Sequence, residues 1–203
     1  EQFDAEGIES RVLKGLATGE LDYPNYLLRH TGDVDLAVRP ERLDDAVRVL
    51  RGHGYGDRYE RFSPYLSYGC TLEAPNGVEV DLHARLSRRS PLGDRLFQDL
   101  GEPLSMLPGY ALSAAHRLVH ASGHFLISPP GARRLSGLFD ITRMHACHDV
   151  DLEKARRFAA DLRIEALVGA GLWVEAMLSD RVDVIAQLDT WKAPDWLERN
   201  TRL

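Results

Sequence analysis

The segment Gly32-Asp33-Val34-Asp35-Leu36-Ala37-Val38 constrains this chain more than any other, because it sets two carboxylates two residues apart in an otherwise apolar run. Carboxylate, Val, carboxylate, Leu, Ala, Val is an alternation with a period of two. That is the pattern of a half-buried β-strand, in which successive side chains leave opposite faces. Pro40 stands just beyond it. Both acids leave the same face, roughly 6.6 Å apart along the strand.

The rest of the first half alternates strands and helices around that segment. Arg11 to Lys14 is a short strand candidate, broken by Gly15 and again by Gly19, with a loop from Asp22 to Thr31. Glu41 to His53 carries Leu43, Ala46, Val47 and Leu50 at helical spacing, stopped by Gly52 and Gly54. Tyr65 to Ala74 reads as a strand, Asn76-Gly77 as a hairpin turn, and Val78 to Leu82 as the return strand. Val78, Val80 and Leu82 are expected on its buried face, with Glu79, Asp81 and His83 opposite. This order predicts a small mixed sheet with helices on one face.

From Ala111 onward the strand pattern gives way to helices, expected over 111–127, 134–145, 151–162 and 164–178, the last two either separate or continuous. The third has an acidic cap and first turn. The stretch from Ser87 to Gly109, with Pro91, Pro103 and Pro108, is the plausible joint. The expected organisation is therefore α+β, with a mixed-sheet domain over 1–90 and a helical C-terminal domain over 91–203 packing against it.

Composition narrows the partners. The 203 residues suffice for a domain with a real core plus a helical annex, and 44% hydrophobic with 28% charged residues is ordinary for a globular protein. A net charge of −6 with no long basic run argues against tight, sequence-independent nucleic-acid binding. Cys70 and Cys147 form no disulfide framework and no redox pair, so a reducing, cytoplasmic setting is expected. No apolar stretch approaches the ~20 residues of a membrane span.

Carboxylates on one strand face can converge on divalent cations such as Mg²⁺, which takes oxygen ligands and is shared with substrate phosphates. Two such metals roughly 3.5–4 Å apart can serve an in-line displacement at phosphorus. A third carboxylate from a neighbouring strand completes such a site, and Asp81 offers one. A lone Asp-x-Asp also occurs on solvated edge strands, so Asp81 matters to the reading. His116, His120 and His124 share one helix face, but without the HExxH pattern or a third ligand they read as core histidines. His145 and His148 flank Cys147 without metal-ligand spacing.

Leu13-Lys14-Gly15, Tyr23-Pro24, Arg29, Gly32 to Val38 and Val80-Asp81-Leu82-His83, taken in order, resemble the uncharacterised nucleotidyltransferase family of the polymerase-beta-like superfamily. The resemblance covers about residues 11 to 145 and is specific as an ordered set. It implies a nucleotidyltransferase fold, Mg²⁺ or Mn²⁺, and a nucleoside triphosphate donor. Asp33 and Asp35 would hold metal, and Asp81 would hold the catalytic metal and orient the acceptor.

One departure is that the helix-capping Gly-Ser of the wider superfamily is replaced by Lys14-Gly15, with Thr18-Gly19 just beyond. Gly15 permits close backbone approach. Lys14 is either a point charge for phosphate or a solvated strand end. Arg29 is either a bidentate phosphate partner or an ion pair that steadies the carboxylates. His83 could orient Asp81, contact the acceptor, or pack at a strand end. The expected activity is transfer of a nucleoside monophosphate to a hydroxyl-type acceptor on a small molecule, peptide or protein. The alternatives are a catalytically silent nucleotide- or partner-binding module and a phosphotransferase using the same metals.

Overall fold

The computed structural model describes residues 2–58, 69–86, 94–127, 135–188 and 191. The chain divides into two compact units, Glu1–Ser113 and Ala114–Leu203. In the first, α1 (Gln2–Ala5), β1 (Ser10–Val12) and α2 (Lys14–Asp22) are followed by a 3-10 turn at Tyr26–Leu28 and then β2 (Asp33–Val38). After a second 3-10 turn at Pro40–Arg42 come α3 (Leu43–Gly52), β3 (Gly56–Asp57), β4 (Gly69–Glu73) and β5 (Glu79–His83). A 3-10 segment at Asp94–Phe97 precedes β6 (Glu102–Pro103) and β7 (Tyr110–Ala111).

These strands form one seven-stranded mixed sheet in the order β3-β4-β5-β2-β1-β7-β6. β2 runs parallel to β5 and β1 parallel to β7, while the other neighbours are antiparallel. The mixed sheet expected from the sequence is present. Its flanking strands β3, β6 and β7, two residues each, are too short to show a period. Residues 94–111, which follow the boundary expected at 90, bring β6 and β7 to this sheet.

The two faces of β2, β5 and β4 divide by the alternation read from the sequence. Val38, Leu72, Val80 and Leu82 pack with Phe3 and Ile8 and with Leu43, Ala46, Val47 and Leu50 of α3 in one buried cluster. The α3 residues are those read at helical spacing, and each is less than a tenth exposed. Val78 departs from expectation. It lies before β5 and is exposed, because its carbonyl and amide serve the turn, accepting from Ala74 N at 2.8 Å and donating to Asn76 Oδ1 at 3.2 Å. Gly77, with φ 84, is the left-handed residue that closes this three-residue connection. Tyr65 to Tyr68, expected to begin β4, lie outside the described residues.

Gly15 and Gly19 do not break a strand. They sit inside α2. A Cβ on Gly15 would collide with the Thr31 side chain, whereas one on Gly19 would meet Arg29 only at ordinary contact distance. Helix propensity disfavours both glycines, and the Thr31 contact accounts for the first.

The second unit comprises α4 (Ala114–Ile127), α5 (Leu135–Cys147), α6 (Leu152–Asp161), α7 (Glu165–Leu178) and α8 (Val182–Leu188). Asp151 caps α6 as its sequence suggests, accepting from Lys154 N at 2.8 Å. α6 and α7 are separate helices, parted where Arg163 adopts φ 57. His116 is buried and stacks on Phe158 with ring centroids 3.7 Å apart, and His120 is buried on the same helix. Thr142 of α5 and Ser179 both donate to Glu175 Oε1 of α7, at 2.9 and 2.8 Å. Among the described residues no helix is long and apolar enough to cross a membrane.

Gly69 permits a close approach of β4 to β5, since a Cβ there would sit 1.5 Å from the Leu82 carbonyl oxygen. Gly69→Ala must therefore push β4 off β5. It is expected to lower stability by about 2–3 kcal/mol, read as a reduced midpoint in urea unfolding. An unchanged midpoint would show that the β4–β5 spacing has slack.

Candidate active site

Strand register builds the site as rows across the polar face of β2, β5 and β4. Asp33, Glu79 and Glu73 form one row, Asp35, Asp81 and Thr71 the next, and Ala37, His83 and Gly69 the third. Residues paired across adjacent strands have side chains on the same face and in contact range. The first row is partly neutralised by Arg58, whose guanidinium pairs with Glu73 at 2.8 Å and Glu79 at 3.0 Å.

The middle row is the centre of the arrangement. Asp35 is only 3% exposed, and its Oδ1 accepts from two donors, Lys14 Nζ at 2.5 Å and His83 Nε2 at 2.7 Å. A carboxylate only accepts, so the His83 proton in this bond resides on Nε2. On the next strand Thr71 Oγ1 donates to Asp81 Oδ1 at 2.5 Å. Ligand atoms of Asp35, Asp81 and His83 all lie within 4.8 Å of one another. Among the described residues this is the grouping of three or more acids, histidines or cysteines close enough to hold one ion, and Asp33 is not in it.

Lys14 reaches the site through an unusual backbone. Leu13 N donates to the Asp35 carbonyl at 2.9 Å, extending the β1–β2 pairing by a residue. Lys14 then turns with φ 45 to start α2. The left-handed conformation costs an L-residue about 1–2 kcal/mol, and the ion pair with Asp35 is what it secures. Gly15 follows because Thr31 lies against it, with a Cβ there falling 2.4 Å from Thr31 Oγ1. Lys14 is thus a paired cation at a helix start rather than a solvated strand end. His83, on the same face of β5 as Asp81, reaches across to Asp35 instead. Arg29 rests its stem near Gly19 and donates to the His30 carbonyl.

The electrostatics of the two β2 acids diverge. Burial works to raise the Asp35 carboxyl, but the His83 hydrogen bond and the charge and hydrogen bond of Lys14 outweigh it and hold the group at about 2. Asp33 moves the other way. Burial first, and then the negative charges of Asp35 and Asp81, raise its carboxyl above the ordinary 3.8 despite the opposing pull of Lys14. The charges of Asp35 and Asp81 thus add to burial in disfavouring ionisation of Asp33, a repulsion that a bound cation would offset. The oxygen-rich donor set and its spacing fit a divalent cation.

Thr71 was not visible as a site residue in the sequence. With Asn76-Gly77 read as a two-residue turn, counting back along both strands pairs residue 72 with residue 81; only the three-residue connection from Pro75 to Gly77 shifts the register so that Thr71 faces Asp81. Lys14 comes to Asp35 from a neighbouring strand end, and no local pattern announces that contact.

A family model described as an uncharacterised nucleotidyltransferase matches residues 1–179. No curated protein matches the chain significantly. Among solved structures, the solution structure of the antibiotic-resistance factor ANT(2'')-Ia superposes with a TM-score of 0.54 at 15% identity, covering 80% of this chain and 85% of that one. The crystal structure of ANT(2'')-Ia in complex with adenylyl-2''-tobramycin gives 0.51 at 14% identity, over 84% and 90% of the two chains. An antigenic nucleotidyltransferase-like protein from Paracoccidioides brasiliensis gives 0.55 at 13% identity, over 98% and 92%. At these identities the likeness is one of fold.

The depressed carboxyl of Asp35 has a consequence for stability. A group at about 2 in the folded state, against 3.8 ordinarily, contributes stability that is fully present above the ordinary value and lost as pH falls toward the lower one. The difference in urea-unfolding free energy between wild type and Asp35→Asn is expected to narrow by about 2 kcal/mol between about pH 5 and about pH 2. A difference that stays constant or widens on acidification would mean that Lys14 and His83 do not hold Asp35 ionised.

Proposed function

The chain belongs to the uncharacterised nucleotidyltransferase family, and on that footing we propose that it moves a nucleoside monophosphate from a nucleoside triphosphate to a hydroxyl-type acceptor in a reaction requiring Mg²⁺ or Mn²⁺. The observation that carries this reading is the shared row of Asp35 and Asp81 on parallel strands, with Asp33 one step along β2. Asp33, Asp35 and Asp81 would hold the cation. When bound, it supplies charge stabilisation at the α-phosphate and lowers the cost of deprotonating the attacking hydroxyl.

The side chains divide the remaining work. Asp81, with one oxygen held by Thr71, offers its other oxygen to the acceptor hydroxyl and takes its proton. The acceptor oxygen forms a bond to the α-phosphorus as the bond from that phosphorus to the leaving pyrophosphate breaks. Lys14 stands beside Asp35 as a cation close to where phosphates would lie, Gly15 keeps the backbone at the start of α2 open to close approach, and Arg29 contributes a guanidinium to the triphosphate. His83 keeps Asp35 oriented from the opposite side.

The acceptor is a small molecule, peptide or protein rather than a nucleic acid, a choice supported by the net charge of −6 and the lack of a long basic run. The complex of ANT(2'')-Ia with adenylyl-2''-tobramycin supports adenylyl transfer to a small molecule as one form of the reaction. A cytoplasmic setting suits Cys70 and Cys147, neither of which is in a disulfide.

Incubation with Mg²⁺ and α-labelled or γ-labelled triphosphates, in the presence of cell extract, tests the reading. Transfer of α-label to an acceptor is expected, with Asp81→Asn reducing the rate by about 100-fold or more. Transfer of γ-label alone would make the protein a phosphotransferase. Nucleotide binding without turnover, unchanged in Asp33→Asn and Asp35→Asn, would make it a silent binding module.

A further inference from the structure

We infer that Thr71 is a positioning residue for this centre, fixing the rotation of the Asp81 carboxylate so that one oxygen stays available to a divalent cation and the acceptor. The inference rests on the reading of Asp81 as a metal-holding carboxylate. Asp81 sits between two register partners in one row, Asp35 on β2 and Thr71 on β4. On its β4 side, Thr71 Oγ1 donates to Asp81 Oδ1 at 2.5 Å. That distance falls in the range of a charge-assisted hydrogen bond from a hydroxyl to an ionised carboxylate. Threonine suits the task because branching at Cβ restricts χ1, so the hydroxyl is aimed by the backbone of β4.

Two features bring that backbone close enough. Gly69, two residues before Thr71, lets β4 approach Leu82 more closely than any side chain would permit. The hairpin closed by Gly77 sets the register that pairs 71 with 81. A carboxylate free to rotate presents either oxygen and spends part of its time turned away from a shared ion. Held by one oxygen, it presents the other in a defined direction. Hydrogen-bonding partners behind ligating groups of this kind change metal affinity or activity by about 10–100-fold when removed.

The test uses the full chain, Mn²⁺ alone as the probe, and electron paramagnetic resonance of the free ion as the readout, with circular dichroism to confirm folding. Thr71→Val keeps shape and branching but removes the hydroxyl, and is expected to weaken Mn²⁺ binding by about tenfold or more. Thr71→Ser restores the donor and is expected to bind within about threefold of wild type. In turnover with saturating triphosphate, Thr71→Val should lower kcat while leaving the KM for the nucleotide within about threefold. Wild-type Mn²⁺ affinity in a folded Thr71→Val, alongside loss of binding in Asp81→Asn, would overturn the role of Thr71 and leave the metal site standing. Equal weakening in Thr71→Val and Thr71→Ser would overturn it too, by showing that packing and not the hydroxyl matters. Wild-type Mn²⁺ affinity in Asp81→Asn would remove the metal-site reading itself, and the inference with it.

Discussion

Asp35 is a charged group with almost no exposure, and much of the first unit is arranged around keeping it that way. An unpaired carboxylate in a protein interior costs several kcal/mol, so an acid buried at this depth must protonate or find cations. It finds two donors, Lys14 and His83, on the same oxygen. Lys14 comes from the junction of β1 and α2 in a left-handed conformation, and His83 comes from β5. Both neighbours of β2 in the sheet are thereby tied to one side chain, and its carboxyl is held at about 2 despite burial.

The same three strands do two jobs because their faces differ. Val80, Leu82 and Leu72 look into the core with α3, while Asp81, Thr71 and the β2 acids share the other side. A slip of one residue in the β2–β5 register would exchange these sets, placing carboxylates in the core and valines at the site. The apolar face therefore enforces the geometry of the polar face. Packing of Val38, Val80 and Leu82 is what holds Asp35 beside Asp81.

Charge in this region remains unbalanced even with Lys14 present. Arg58 offsets Glu73 and Glu79 in the outer row, and Lys14 offsets Asp35 in the middle one, while burial first and then the charges of Asp35 and Asp81 keep the Asp33 carboxyl raised. The divalent cation proposed for this site would relieve the repulsion among these acids.

By itself the sequence determined the elements with a clear period and the residues on their faces. The alternation at Asp33 to Val38, the helical spacing of Leu43 to Leu50, the turn at Asn76-Gly77 and the acids on β2 and β5 follow from local side-chain chemistry, and the tertiary structure keeps them. The ordered segments from Leu13 to His83 also carried the family. Only the tertiary structure decided that Gly15 and Gly19 lie within a helix, that β3, β6 and β7 exist, that His83 turns to Asp35 and that Lys14 pairs with it. The physical reason is common to all four. A two-residue strand is stabilised by its neighbour and not by its own pattern, and an ion pair between residues 14 and 35 depends on how β1 lies against β2. Thr71 belongs with these, since the turn at Asn76-Gly77 announces a hairpin but only the three-residue connection of the folded chain pairs residue 71 with Asp81 and brings its hydroxyl within reach.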